Sequence, residues 1–384
     1  MNATIAATDH SLPSVVLAEL RKGGLSPQRL AQAEVFSTAF FARVGGSAVH
    51  LHPPTQWAAL LGGLIEFMQQ RPAGHAIVRV LSPADMHAGR SLLQIVTDDM
   101  PFLIDTVSMV VSTSLQTHAV IHPVVVASRD AAGALLSLGG TAGQAESVMH
   151  FEIDRAADAA EQEQLKAQIE AALEDVRAAV NDWAAMRDKA LAIADELPRR
   201  TTPMDAASVQ EASAFMRWLA DENFTFLGYR EYEVADADGD RVLRSVGSSG
   251  LGILRKTDRS LAPRSLRSLA AADMPQSGAT DAVILTKTNA RSHVHRPGYM
   301  DYVGVLQFGA DGRAIAEQRF LGLFTSSSYM TRPQDVPLVR HKVEAVMERS
   351  ALKRDSYSGK SLRHILETLP RDELLQGSED ELFT

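Results

Sequence analysis

The 384-residue chain has no cysteine. That excludes disulfides, cysteine-held iron–sulfur clusters and thiol nucleophiles, and it suits a reducing, cytoplasmic setting. Positive charge is also scarce. Against 47 acidic side chains stand 38 basic ones, a formal net charge of −9, with no run of lysine and arginine. The expectation is no nucleic-acid partner and no anionic membrane partner. Long apolar runs are missing too: none approaches the roughly 20 residues needed to span a bilayer. The opening MNATIAATDHSLPSV lacks the basic stretch and apolar core of a signal peptide.

What is present is the composition of a globular protein, 45% hydrophobic and 22% charged. The length calls for two or three domains. Residues 1–45 are alanine-rich and read as a mobile start followed by a helix through Arg29–Phe41. A second helix at Thr55–Gln70 carries Trp57, Leu60, Leu61, Leu64, Ile65 and Met68 at helical spacing. AIVRVL and SLLQIVT read as strands. From Pro101 the period changes, and Leu103, Val107, Val110, Val111 and Leu115 share one helix face. AVIHPVVVASRD is β-branched, and its Pro123 implies an edge or a bulge. A turn at Asp130–Gly133, a returning strand and the strand SVMHFEID follow. Then comes the longest element, a helix between about Asp158 and Leu197 closed by Pro198, long enough to be bent or to reach beyond its own domain.

RRTTPMD (Arg199–Asp205) reads as a linker, and a short helix through Phe215–Leu219 follows it. Next are the strand FTFLGYREYEV, a DADGD turn, the glycine-rich VGSSGLGIL and a polar segment near Arg259–Ala279. AVILTKT, YMDYVGVLQF and AIAEQRFLGLFT read as antiparallel strands, the last two joined by an Asp-Gly turn in GADGR. From Pro337 the chain turns helical. Ser378 and Glu381 form an S-x-x-E capping box one turn before the last residue, which leads us to expect a segment of a longer protein.

The most suggestive stretch is TDDMPFLIDTV, residues 97–107. Asp98 and Asp99 are either a carboxylate pair for acid–base or metal chemistry, or the cap of the helix that follows. Neighbouring strand residues point to opposite faces, which disfavours convergence on one ligand. Pro101, tolerated in a first helical turn, favours a cap made by one of the aspartates. Open amides at such a corner can still hold a small anion. His50 with His52 and His293 with His295 could share strand faces, but no third metal ligand follows by spacing. The i+4 pair His118 and His122 is split by a helix-to-strand transition. Gly247, Gly250 and Gly252 hint at a phosphate cradle yet match no phosphate-loop pattern, so a tight turn is expected. No serine has a G-x-S-x-G setting, and no Ser–His–Asp arrangement can be argued.

A strand, then Asp99-Met100-Pro101-Phe102-Leu103, then helix, strand, strand and helix, resembles an ACT-type domain, whose motif runs Asp-x-Pro-Gly-x-Leu. Phe102 stands where that family has glycine, and its ring would fill space a small ligand uses. No fourth strand follows the long helix, so AIVRVL upstream is expected to take its place. DDMPFLIDTVSM, IHPVVVASRDAAG, ESVMHFEID, FTFLGYREY, SSGLGIL, HRPGYMDYVGV, RFLGLFTSSSY and LETLPRDELLQ occur in order. Together they resemble the N-terminal region of the large bacterial NAD-specific glutamate dehydrogenases.

The resemblance implies an α+β chain: an ACT-like (ferredoxin-like βαββα) domain, then a PAS-like antiparallel-sheet domain, with helical N- and C-terminal segments. The expected limits are 1–45 for the N-terminal segment, 46–200 for the ACT-like domain, 201–336 for the PAS-like domain and 337–384 for a helical lead-in to a further module. It implies that NAD binds downstream domains and that this segment holds no catalytic, cofactor or metal residue. Asp98, Asp99, Met100, Pro101 and Phe102 become a candidate regulatory ligand site. Implied partners are downstream catalytic domains, further copies of the chain and an amino-acid effector. The alternatives are a stand-alone amino-acid sensor and, third, a metal-dependent hydrolase using histidine and aspartate.

Overall fold

The computed structural model describes residues 12–45, 48–83, 89–156, 158–237, 240–256 and 282–384. They are α+β, with two antiparallel sheets in two compact units. One unit holds the described residues up to Val176 together with His293–Arg296; the other holds Arg177–Ser292 and Pro297–Thr384. The division falls inside the long helix, so that one element contributes to both units.

The first unit begins with three helices, α1 (Leu12–Lys22), α2 (Pro27–Phe41) and α3 (Pro54–Phe67). The sequence reading expected nothing regular before Arg29; residues 12–22 are helical instead, and residues 1–11 lie outside the described set. Leu12, Val16 and Leu20, four apart, form the buried stripe that explains α1. Helix α2 starts two residues earlier than expected because the Ser26 side chain accepts from the Arg29 amide and Pro27 fits the first turn.

The sheet that follows contains β1 (Ile77–Leu81), β2 (Ser91–Asp98), β3 (Thr117–Ile121), β4 (Val124–Arg129), β5 (Leu135–Leu138) and β6 (Gln144–Ile153). Their order is β1-β2-β6-β4-β5, with β3 also paired to β6. AIVRVL does take the edge place beside β2, antiparallel, with Val78 opposite Ile95. Pro123, which has no amide proton, breaks the β-branched run into β3 and β4. Both halves lie along β6, and the Pro123 carbonyl accepts from the Val148 amide. Helix α4 (Leu103–Val111) follows β2, and α5 (Ala159–Glu196) follows β6.

Both faces of this sheet are buried. Paired residues of antiparallel strands share a face. Val96, Val148, Ile121, Val125 and Ala127 form one cluster with Phe36, Phe40, Trp57, Leu61, Leu64 and Ile65 of α2 and α3. On the opposite face Leu93, Ile95, Met149, Phe151 and Ile153 are fully buried as well. Each such side chain adds roughly 1.5–3 kcal/mol when taken out of water, and the N-terminal helices supply the cover of one of the two faces.

The second unit opens with the C-terminal part of α5 and α6 (Ala206–Trp218). Helix α6 is longer than the expected Phe215–Leu219. Asp205, read as linker, caps it by accepting from the amides of Ala207 and Ser208. The sheet holds β7 (Phe224–Ala237), β8 (Asp240–Ser245), β9 (Leu251–Gly252), β10 (Val283–Arg291), β11 (Tyr299–Phe308) and β12 (Ala314–Phe324). Their order is β10-β11-β12-β7-β8, all antiparallel, with β9 on β7. Four helical pieces and a short turn of helix follow: α7 (Ser326–Met330), α8 (Val339–Arg349), α9 (Tyr357–Thr368), α10 (Arg371–Gln376) and α11 (Glu379–Phe383), the last with the expected capping box. One sheet face, with Phe226, Tyr229, Val303, Val305 and Phe320, packs with Ile193 of α5, Phe215 of α6, Val343 of α8 and Leu374 of α10. The polar segment near Arg259–Ala279 and the centre of the DADGD turn lie outside the described residues.

Candidate functional site

The corner after β2 differs from a capped helix start. Helix α4 has Phe102 at its N-cap, with no side-chain hydrogen bond there, so neither aspartate caps it. Both carboxylates are claimed by residues distant in sequence. Asp98 Oδ1 accepts from Arg71 Nη2 at 2.7 Å, and Asp99 Oδ1 accepts from the Ser147 hydroxyl at 2.5 Å. Phe102 has φ +73°, the left-handed backbone that glycine adopts freely and phenylalanine does not. The residue thus keeps the backbone shape of the glycine motif while adding a ring. That ring lies 4.6 Å from the His295 ring, within the same compact unit. Met100 leads from the strand, and Pro101 and Phe102 form the turn into the helix.

Asp99, Ser147 and His122 do come together, which sequence spacing did not suggest. His122 Nε2 is 2.9 Å from Ser147 Oγ. The order is wrong for a nucleophile, however. Ser147 is central and gives its proton to Asp99, so its oxygen faces an N–H rather than a base, and it is fully buried. Burial also holds His122 below its ordinary pKa, with Asp99 opposing and Arg43 adding to the shift.

Beside the corner lies a balanced ionic cluster. Glu146, 1% exposed, takes Arg71 at 2.8 Å and both nitrogens of the Arg129 fork at 2.6 and 2.8 Å. Desolvation pushes the Glu146 pKa up, but the two guanidiniums outweigh it and the net shift is down. The same face carries a polar stripe under α1–α3. Arg79 donates to the Gly63 carbonyl and to Gln94 Oε1; Gln94 Nε2 donates to His150 Nδ1. Further along β6, Glu152 meets His52 at 2.6 Å and Arg90 at 2.8 Å. Burial lowers the His150 pKa to about 4, while His52 and Arg90 hold Glu152 at about 2 despite desolvation. The signal for this stripe was in the sequence: Arg79, Gln94, His150 and Glu152 are polar residues within otherwise apolar strands.

The remaining candidates resolve as structural groups. His52 is bound to Glu152 and Gln56, and His118 to Asp154. Among the described residues no group of three or more histidine, aspartate or glutamate side chains could hold a metal ion. The glycine-rich turn is anchored by the Gly252 amide donating to Asp182 Oδ2 at 2.7 Å, so that amide serves the chain's own carboxylate rather than a phosphate. No helix among the described residues is long and apolar enough to cross a membrane.

An antiparallel sheet whose strand β2 runs through Asp-x-Pro into α4, followed by strands β3–β6 and the long helix α5, is consistent with an ACT-type domain in the first unit. The family "Glutamate dehydrogenase, ACT1 domain" matches residues 36–169, and "Glutamate dehydrogenase, helical motif 1" matches residues 336–384. Along 382 residues the chain is 32% identical to an NAD-specific glutamate dehydrogenase of Halomonas elongata, covering 95% of this chain and 23% of that protein. The NAD-specific glutamate dehydrogenase of Pseudomonas aeruginosa is 37% identical over 320 residues, 80% of this chain and 20% of its own length. That of Mycobacterium tuberculosis is 26% identical over 334 residues. The chain is similar to NAD-specific glutamate dehydrogenases over most of its own length, and it spans about a fifth of the length of the curated relatives it matches.

Proposed function

We propose that this chain is a non-catalytic, N-terminal regulatory and assembly region of an NAD-specific glutamate dehydrogenase. In that reading the whole enzyme oxidises L-glutamate to 2-oxoglutarate and ammonia, with NAD⁺ taking the hydride on domains elsewhere in the polypeptide, in the cytoplasm. The observation that carries it is the agreement of nearly the whole chain with a fifth of a much longer enzyme, through an ACT-type domain and a helical motif. The proton order of His122, Ser147 and Asp99, in which Ser147 gives its proton to Asp99, leaves that serine unactivated and agrees with this reading. The one-sided antiparallel sheet of the second unit, backed by helices, supports the PAS-like reading.

The candidate effector site remains Asp98, Asp99, Met100, Pro101 and Phe102, narrowed by the Phe102 ring. Copies of the chain and the downstream catalytic domains are the proposed partners. The test is NAD⁺-dependent glutamate oxidation by residues 1–384 and, in parallel, by a longer polypeptide that includes them. Activity confined to the longer protein is expected; turnover by residues 1–384 alone would refute the non-catalytic reading. Titration calorimetry of the folded chain with amino acids tests the effector, and heat from none of them would remove that half of the proposal.

A further inference from the structure

We infer that the second unit holds a small oxyanion, carboxylate or phosphate, on the guanidinium of Arg230. Arg230 of β7 and Arg319 of β12 stand directly opposite each other in the antiparallel register, so both side chains leave the same face of the sheet. Each is only 3% exposed. Like charges in that position repel, and a buried guanidinium needs acceptors on its several donors. Arg319 has them: it donates to both oxygens of Glu317 and to the Tyr302 hydroxyl, and it lies 3.9 Å from the Tyr232 ring centroid. Glu317 is in turn held by the Tyr302 hydroxyl, which leaves it committed to Arg319.

Arg230 is treated differently. Its Nη2 reaches the Arg255 carbonyl at 3.1 Å, while its buried Nε finds no acceptor among the described residues. The nearby Asp182 is taken by the Arg255 side chain and the Gly252 amide. Among the described residues of this face, two buried cations therefore share one carboxylate, Glu317, which leaves one positive charge over. The glycine-rich turn supplies the other wall. A side chain at Gly250 would come within 2.5 Å of Arg230 Nη2 and 3.0 Å of Nε, so the turn lies against the guanidinium and glycine is what permits it. A planar fork with an open Nε–H, roofed by a glycine turn, takes an oxyanion through paired charge-assisted hydrogen bonds. The ligand enters when that turn opens. The turn Gly247–Gly252 thereby acquires a role beyond a chain reversal.

The experiment is thermal unfolding of the full chain with inorganic phosphate or acetate raised stepwise, sodium chloride holding ionic strength constant. The expected result is a saturable rise of about 3 °C once either anion is roughly ten-fold above its Kd. A response to phosphate alone or to acetate alone identifies the ligand class; both support the site. Arg230→Met is expected to melt at or above the wild-type temperature in sodium chloride and to lose the anion-dependent rise. No saturable rise in the wild type, or a rise kept by Arg230→Met, overturns the inference. If the variant fails to fold, a wild-type crystal grown in phosphate decides. Phosphate within hydrogen-bond distance of Arg230 supports the site, and water or protein atoms alone there refute it.

Discussion

His150 offers a quantitative test of the N-terminal helical cover. Its ring is fully buried on β6, its Nδ1 accepts from Gln94, and its Nε2 has no partner. Burial lowers its pKa from 6.5 to about 4. In the unfolded chain the ring takes up a proton near pH 6.5, whereas the folded protein resists until about pH 4. Stability is therefore intact at neutral pH and is lost as pH falls through that window. At pH 5 the unfolded state has gained about 1.5 pH units of protonation free energy that the native state has not, about 2 kcal/mol. Glu152, depressed to about 2, loses its contribution lower down, from about pH 4.5 to 2, and so does not confuse a comparison between pH 7 and pH 5. The perturbation is His150→Gln, which keeps an acceptor for Gln94 and removes the titration. Trp57, buried 4.7 Å from the His52 ring, is the reporter, with Trp183 and Trp218 changed to phenylalanine. Urea unfolding at the two pH values should show the wild type losing about 2 kcal/mol more than the variant. Equal losses in both proteins would mean that His150 is not held neutral by the helices above it, and the account of that face would be wrong.

Glu146→Ala leaves Arg71 and Arg129 buried without their carboxylate, so a loss of roughly 3–5 kcal/mol is expected in the same Trp57 assay; a change below about 1 kcal/mol would deny the cluster any structural weight. Gly252→Ala places a Cβ 2.1 Å from the Leu227 carbonyl at a φ of +58°. It should cost the second unit more than about 2 kcal/mol, read from Trp218 fluorescence, and wild-type stability would show that the turn is not held as described. Asp205→Ala removes the carboxylate that accepts from two backbone amides at the start of α6 and should cost about 1 kcal/mol, with Asp205→Ser restoring most of it; an unchanged urea midpoint would contradict the cap.

Much of the fold follows from local pattern. The period change at Pro101, the apolar runs of β2 and β11 and the long helix after Asp158 all reflect side chains that face one layer, and spacing reports layers directly. The candidate corner was harder, because its chemistry is set by distant partners. Asp98 and Asp99 look like caps until Arg71 and Ser147, 27 and 48 residues away, are seen to hold them. Phe102 is another such case: the motif placed it where a glycine is usual and suggested a ring filling ligand space, but its left-handed backbone, φ +73°, is visible only in the structure. Helix α1 is hard to read because its five large apolar residues bury only the stripe Leu12, Val16 and Leu20, and what that stripe packs on, α3 and α2, comes later in the chain and cannot be seen from residues 12–22. The stripe from Arg79 to Glu152 was legible as polar interruptions in apolar strands, but the helices that bury it were not.

The cover formed by α1–α3 bears on how this protein can be dissected. The recognisable domain match starts at residue 36, inside α2, and stops at residue 169, inside α5. A fragment trimmed to those limits keeps every strand of the first sheet yet discards α1 and half of α2. The apolar surface of α3 and of the remnant of α2 that packs on Leu12, Val16 and Leu20 would meet solvent as one adhesive patch, a recipe for self-association. A soluble first unit should therefore start no later than Leu12 and carry α5 onward past Val176, which makes the residues ahead of the named domain part of its native core.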